Sequence, residues 1–343
     1  MSSPRNRRFI LASRPRGLPT ADDFRLEENE LGKPGPGQVL VKNMYWSVDP
    51  YMRGRMSEAP SYAPPVAIGA TMVGGTVGEV VESRAPAVAA GDVVVGYGGW
   101  QEYSVLDTSG AGPFAVTRVA HGPGAPPVST ALGACGMPGA TAFFGINKLG
   151  EPSRGETVVI SAAAGAVGSI AGQIAKMRGA RVVGVAGGER KCRFVIDELG
   201  FDDCIDYKAE TDLRAALVLS CPDGIDVYFE NVGGALVEAV AGLLRPGARV
   251  PICGFISQYN SSTPVYPQAV LDAAPNKPAS RFFLVGEWPD EYPGAIAQLV
   301  EWIKAGQLRY REDVVGGFEN LPKAFLGLFA GENLGKRLVR LTA

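Results

Sequence analysis

The rhythm of apolar and polar positions changes near residue 155. Before that point short apolar runs, among them Val39-Leu40-Val41 and residues 75–81, 92–95 and 102–106, are separated by Gly and Pro, with no long 3.6-residue periodicity. Residues 9–127 therefore predict a compact β domain, with Gly35-Pro36-Gly37 and Ala90-Gly91-Asp92 as turns that feed strands. Beyond Gly155 strands alternate with helices. Thr157–Ser161 is a β-branched run of the kind buried on both faces of a sheet. Apolar positions then recur at Val167, Ile170, Ala171, Ile174 and Met177, the spacing of a one-faced helix, until Gly179 stops it. Further strands are predicted at Arg181–Ala186, Asp203–Asp206, Ile225–Phe229 and residues 249–253 and 281–285. Helices are predicted over 189–199, Leu213–Ser220, 235–244 with a stop at Arg245-Pro246-Gly247, and 292–305. Such alternation specifies an α/β fold with a doubly wound parallel sheet of the Rossmann type. Residues 310–343 return to mixed short elements and are expected to rejoin the N-terminal domain.

Between the first strand and helix of that sheet lies Ala162-Ala-Ala-Gly165-Ala166-Val167-Gly168, an A-x-x-G-x-x-G form of the dinucleotide fingerprint. Without side chains at Gly165 and Gly168, backbone can approach a pyrophosphate closely, and amides of the first helical turn can point at it. The motif alone is weak and its first glycine is replaced by Ala162; its place between a strand and a helix is what gives it weight. Residues 157–175 carry no charge and approach the length of a membrane span. Ser161, Gly165, Gly168, Ser169 and Gln173 interrupt the apolar surface, however, and no polybasic flank sets an orientation, so a buried core element is the better reading.

A chain of 343 residues is long for one core, and two domains are expected. Hydrophobic residues at 46% and charged residues at 20% are ordinary for a globular protein. With 33 basic against 35 acidic residues there is no overall field for nucleic acid or an acidic membrane, and neither is an expected partner. No apolar segment precedes Pro15, so no signal peptide is expected. Cys135, Cys192, Cys204, Cys221 and Cys253 are scattered and odd in number, which suits reduced thiols and a cytoplasmic location. His121, the only histidine, lies in a loop-like His-Gly-Pro-Gly stretch, leaving no cluster for a His-rich metal site and no triad.

Several motifs in order resemble the zinc-independent medium-chain dehydrogenase/reductases, in the group of leukotriene B4 12-hydroxydehydrogenase, prostaglandin reductase and bacterial curcumin reductase. They are Ser47-Val-Asp-Pro-Tyr-Met-Arg-Gly-Arg-Met56, Gly136-Met-Pro-Gly-Ala-Thr-Ala-Phe-Phe-Gly145, Glu230-Asn-Val-Gly-Gly234, Cys253-Gly-Phe-Ile-Ser-Gln-Tyr-Asn260, Gly317-Phe-Glu-Asn-Leu-Pro322 and Gly331-Glu-Asn-Leu-Gly-Lys336. The resemblance covers nearly the whole chain. It implies a GroES-like β domain over 1–128 completed by 308–343, a Rossmann NADP-binding domain over 129–307, and a cleft between them where NADPH reduces an activated C=C bond. A homodimer is expected, the commonest assembly.

An NAD-preferring Rossmann domain places an acidic residue at the end of the second strand, about 20 residues past the glycine turn. Here that strand ends Val185-Ala-Gly-Gly188, which leaves room for a 2′-phosphate, and Lys191 follows to pair with it. Glu189 would repel the phosphate if it pointed inward. The resemblance implies a lysine and a tyrosine there, matching Lys191 and Tyr207. It also implies cofactor contacts for Ala162, Gly165, Ala166, Val167, Gly168, Asn231, Cys253, Phe255 and Asn333, although each Asn also suits a turn. Hydride added to an enal or enone puts negative charge on the carbonyl oxygen, and a donor aimed there stabilises the enolate. Tyr259 is the candidate, a phenol that stays protonated at neutral pH, with packing in the cleft as its bland alternative. Tyr51 resembles a substrate-pocket tyrosine. No cysteine precedes Cys135 and no zinc spacing is present, so no metal is expected. Phe282, Phe283 and Trp288 depart from the family pattern and suit a pocket wall, a dimer contact or plain strand packing. A quinone reductase and a non-catalytic, crystallin-like NADPH-binding protein are the alternative functions.

Overall fold

The computed structural model describes residues 5–342. Contacts divide the chain into two units, one running to Gly136 and including Glu312–Asn333 and the segment from Arg337, the other holding Met137–Arg311 and Leu334–Lys336. The division falls eight residues past the sequence-based boundary at 128, because the turn Val128–Leu132 buries Leu132 against Val77 and Leu338 of the β unit.

In the first unit β1 (Arg5–Leu11) and β2 (Phe24–Glu30) pair antiparallel, followed by β3 (Gln38–Ser47), α1 (Met52–Arg55), β4 (Thr76–Ser83), β5 (Val93–Gly96), β6 (Tyr103–Asp107) and β7 (Thr117–Arg118). Trp46, Met52, Trp100, Phe318 and Phe325 are fully buried in its core, where aromatic rings meet edge to face or tilted.

The second unit opens on α2 (Met137–Phe144), then β8 (Thr157–Ser161), α3 (Gly168–Met177), β9 (Arg181–Ala186), α4 (Glu189–Arg193), β10 (Asp203–Asp206), α5 (Leu213–Ser220), β11 (Ile225–Phe229), α6 (Ala235–Ala241), β12 (Leu244–Ile252), α7 (Pro267–Asp272), β13 (Ala279–Phe282) and α8 (Tyr292–Lys304). Its six strands are parallel in the order β10-β9-β8-β11-β12-β13, so the winding direction switches between β8 and β11. Every residue of β8 is buried, as its apolar run requires. The chain then returns through β14 (Glu312–Gly316), α9 (Leu321–Phe329) and β15 (Lys336–Arg340), and β15 pairs with β3 to complete the antiparallel sheet of the GroES-like unit.

Four elements differ from expectation. α3 is buried on every face from Gly168 to Ala175, not on one, and Met177 is 41% exposed at its end. The helix expected over 189–199 changes to a π-wound turn at Phe194–Glu198. α6 stops at Ala241, and Arg245-Pro246-Gly247 forms an irregularity inside β12, with Gly247 at φ 82° and a register shift between Ile225 and Val227 of the partner strand. β13 lies at Ala279–Phe282, earlier than expected, because Glu287 caps the following turn by accepting from the Leu284 amide at 2.7 Å. Among the described residues no helix is long and apolar enough to cross a membrane.

Candidate active site

Ligands of open α/β sheets bind beyond the carboxyl ends of the strands at the switch point, here the ends of β8 and β11. Past β8 the chain turns through Ala162, whose φ of 49° lies in the left-handed region that disfavours a Cβ by roughly 1–2 kcal/mol. The position is the one the fingerprint gives to glycine. Gly168 is obligatory for a different reason: a Cβ there would meet Ala162 O at 2.4 Å. The Gly165 amide closes the turn on Ala162 O, and the Ser169 and Ile170 amides bond Gly165 O and Val167 O. Among the described residues, the amides of Ala166, Val167 and Gly168 have no acceptor within the chain. Three adjacent donors at the start of a ten-residue helix fit a pyrophosphate. Gly335 lies beside this turn, pairing with Gly165 and donating to Ala164 O at 2.8 Å, so residues from the chain's end help to shape it. Asn333 belongs to the other unit and stands two residues before Gly335.

At the end of β9 the Gly187-Gly188 turn carries no carboxylate, and the Tyr207 ring packs where a Gly187 side chain would project. Glu189 pairs with Arg193 one turn along its own helix, which answers the concern about its charge. Lys191 is half-buried on the same helix. Asp206 was missed by sequence reasoning: its Oδ1 accepts from the Gly188 and Lys208 amides at 2.7 and 3.0 Å, fixing the turn from the next strand.

At the end of β11, Asn231 is pinned across the switch point. Its amide donates to Ser161 Oγ and its Nδ2 to Ser161 O, both at 2.7 Å. Cys253 donates its amide to Glu230 O, and burial pushes its thiol up to about 12, so it stays neutral. Phe255 packs edge to face on Tyr259 and Tyr266. The Tyr259 hydroxyl accepts from the Phe255 amide at 3.4 Å, and a side chain at Gly254 would strike it at 2.8 Å. In the β unit, the Tyr51 hydroxyl is buried with Tyr97, Asp49 and Tyr62 around it, and burial above all holds its phenol well above the usual range.

Phe283 is buried against Phe229, and Trp288 stacks on Phe144 at 4.9 Å, which makes both packing residues of the second unit. Phe282 is 41% exposed. His121 is exposed, with Nδ1 3.2 Å from Val119 O. Among the described residues no group of three or more His, Cys, Asp or Glu is placed to hold a metal ion.

Residues 7–114 match the family described as "N-terminal domain of oxidoreductase", and residues 166–301 the family described as "Zinc-binding dehydrogenase". The NADPH-dependent curcumin reductase of Escherichia coli (strain K12) is 46% identical over 98% of this chain and 97% of its own. The chain belongs to the zinc-independent medium-chain dehydrogenase/reductases. Within this family the 2-alkenal reductase (NADP(+)-dependent) of Nicotiana tabacum is 40% identical over 98% of both chains. The crystal structure of CurA in complex with NADPH from Vibrio vulnificus superposes with a TM-score of 0.90, at 43% identity over 98% of this chain and 99% of that one.

Proposed function

We propose that this protein is an NADPH-dependent reductase of the carbon–carbon double bond in α,β-unsaturated aldehydes and ketones, acting without a metal. The observation that carries the cofactor is the row of partnerless amides from Ala166 to Gly168 beyond β8. Full-length likeness to proteins named curcumin reductase and 2-alkenal reductase supports the substrate class. In this reading Ala162, Gly165, Ala166, Val167 and Gly168 cradle the pyrophosphate, and Lys191 and Tyr207 meet the 2′-phosphate. Asn231, Cys253, Phe255 and Asn333 hold the ribose and nicotinamide end. Bound NADPH supplies the hydride. Tyr259 donates a hydrogen bond to the carbonyl oxygen, strongest as that oxygen gains charge. Tyr51, a buried and neutral phenol, lines the substrate pocket.

Purified protein should consume NADPH when given a simple enone such as but-3-en-2-one and yield the saturated ketone. NADPH that persists with every enone and enal overturns the reading. Turnover confined to quinones would favour a quinone reductase, and binding without turnover a crystallin-like role.

We also propose a homodimer, supported by β13, the last strand of its sheet, with Phe282 exposed on it. A monomeric mass in sedimentation would overturn it. The five free cysteines support a reducing, cytoplasmic setting, which recovery of the chain outside the cytosol would contradict.

A further inference from the structure

The least expected group at the switch point is a carboxyl. Glu230, the residue after β11, is 0% exposed. Its Oε1 accepts from the Val232 amide at 2.5 Å and the Gly233 amide at 3.0 Å, and lies 3.1 Å from Ser161 Oγ at the end of β8. The rest of the carboxyl lies against the buried Tyr228 phenol. Burying a carboxyl in this way is expensive, so a mere surface turn does not explain it.

What the carboxyl holds is the backbone that carries the proposed chemistry. Ser161, gripped on one side by Glu230, takes the Asn231 amide and side chain on the other. Asn231 O then accepts from the Ile256 amide at 3.1 Å, and Val232 O from the Ser257 amide at 3.0 Å and hydroxyl at 2.6 Å. Glu230 O itself accepts from the Cys253 and Gly254 amides at 2.8 and 3.2 Å. The Tyr259 amide bonds Ile256 O, closing the chain of contacts from the carboxyl to the tyrosine. Gly233 and Gly234, at φ 73° and 61°, allow the loop to fold back over its own carboxyl, and a Cβ on Gly233 would press on Phe255 at 3.0 Å.

We propose that Glu230 is a positioning residue for the reduction: by binding Ser161, Val232 and Gly233 at once, it sets the places of Asn231 and of the Phe255–Tyr259 segment. The inference rests on the proposed roles of Asn231 and Tyr259. Burial lifts the Glu230 carboxyl above the ordinary range against the pull of the Val232 and Gly233 amides. The titratable groups facing it, Tyr228 and Cys253, are themselves pushed up by burial.

Glu230→Ala, Glu230→Asp and Glu230→Gln in the full chain test the role with NADPH and but-3-en-2-one, well below each variant's Tm. Glu230→Ala is expected to lower kcat by roughly 10- to 100-fold, the scale of a misplaced reacting group. Glu230→Gln, which keeps an oxygen for the three donors, should recover most of that loss. If the Ala variant does not fold, Glu230→Asp, whose carboxyl is withdrawn by one methylene, should show the fall instead. In a Tyr259→Phe background the Ala substitution should cost clearly less than in the parent, since the part that acts through that tyrosine is already lost and only the part that acts through Asn231 remains. The Tm of Glu230→Gln should rise relative to the parent as pH climbs above about 4.3, because the parent's carboxyl then ionises in the unfolded chain while burial still holds it neutral in the folded one, a penalty the amide does not carry.

Parental kcat in a folded Glu230→Ala or Glu230→Asp, a Gln variant as slow as the Ala variant, or full multiplication of the two effects in the double variant would overturn the positioning role. Tyr259→Phe measured alone reports separately on the enolate reading, since it leaves Glu230 untouched.

Discussion

Tyr259→Phe should lower kcat for enone reduction by about 100-fold, the scale seen when one donor to a developing oxyanion is removed. The NADPH Kd should stay within about a factor of two, because loss of a contact made only in the transition state does not disturb ground-state binding. The geometry supports a clean substitution. The hydroxyl accepts from the Phe255 amide at 3.4 Å, a long and weak bond, and sits where Gly254 leaves room for it. Its removal leaves the ring in place against Phe255, whose centroid is 5.2 Å away. Stopped-flow measurement of the single-turnover rate, with fluorescence titration of NADPH, checks the prediction. An equal loss in rate and affinity would mean that Tyr259 orders the loop and stabilises no enolate.

The parallel sheet was legible because its inner strands β8, β9 and β11 are buried nearly throughout, and a run such as Thr157–Ser161 has no other place to go. Legibility failed where local chemistry points one way and tertiary contacts another. In β1 and β2 Arg and Glu recur and no apolar run marks the pair; their logic is cross-strand, with Arg8 paired to Glu27 across the ribbon, and no single strand reveals it. Arg245-Pro246-Gly247 looks like a stop but lies within β12, where Leu244 is already in register with Ile225. The Phe282, Phe283 and Trp288 group divides because β13 ends at Phe282, which stays exposed, while Phe283 and Trp288 pack on Phe229 and Phe144, rings from distant parts of the chain.

The candidate site shows the same limit. The glycine turn could be placed from its flanking strand and helix, and the first position's departure to Ala162 is visible in the sequence. The strain at its φ of 49° is not. Glu230 is the sharpest case. The first polar residue after an apolar strand ordinarily marks the exit to water, and this one is buried because its own loop folds back over it and Ser161, far away in the chain, comes alongside. Asp206 is similar, an acid whose partner is the backbone of a turn on the neighbouring strand.

That turn leads to the second large effect. Lys191→Ala should raise the Kd for NADPH by about 10- to 100-fold while leaving NADH within about twofold, since a hydrogen bond to a charged group contributes roughly 1.5–3 kcal/mol. The discrimination depends on what surrounds the lysine. Asp206 already accepts the Gly188 and Lys208 amides at its Oδ1, and Glu189 pairs with Arg193. Both carboxylates of this corner thus have partners within the chain, and the positive side chain sets the local preference for a phosphate. Because the contact is between charges near the surface, the NADPH preference should shrink as salt is raised from 0.01 to 1 M, over which the screening length falls from about 30 to about 3 Å. Isothermal titration of both coenzymes into the parent and the Lys191→Ala variant checks all of this. If the two weaken in parallel, Lys191 is holding the helix and not the phosphate.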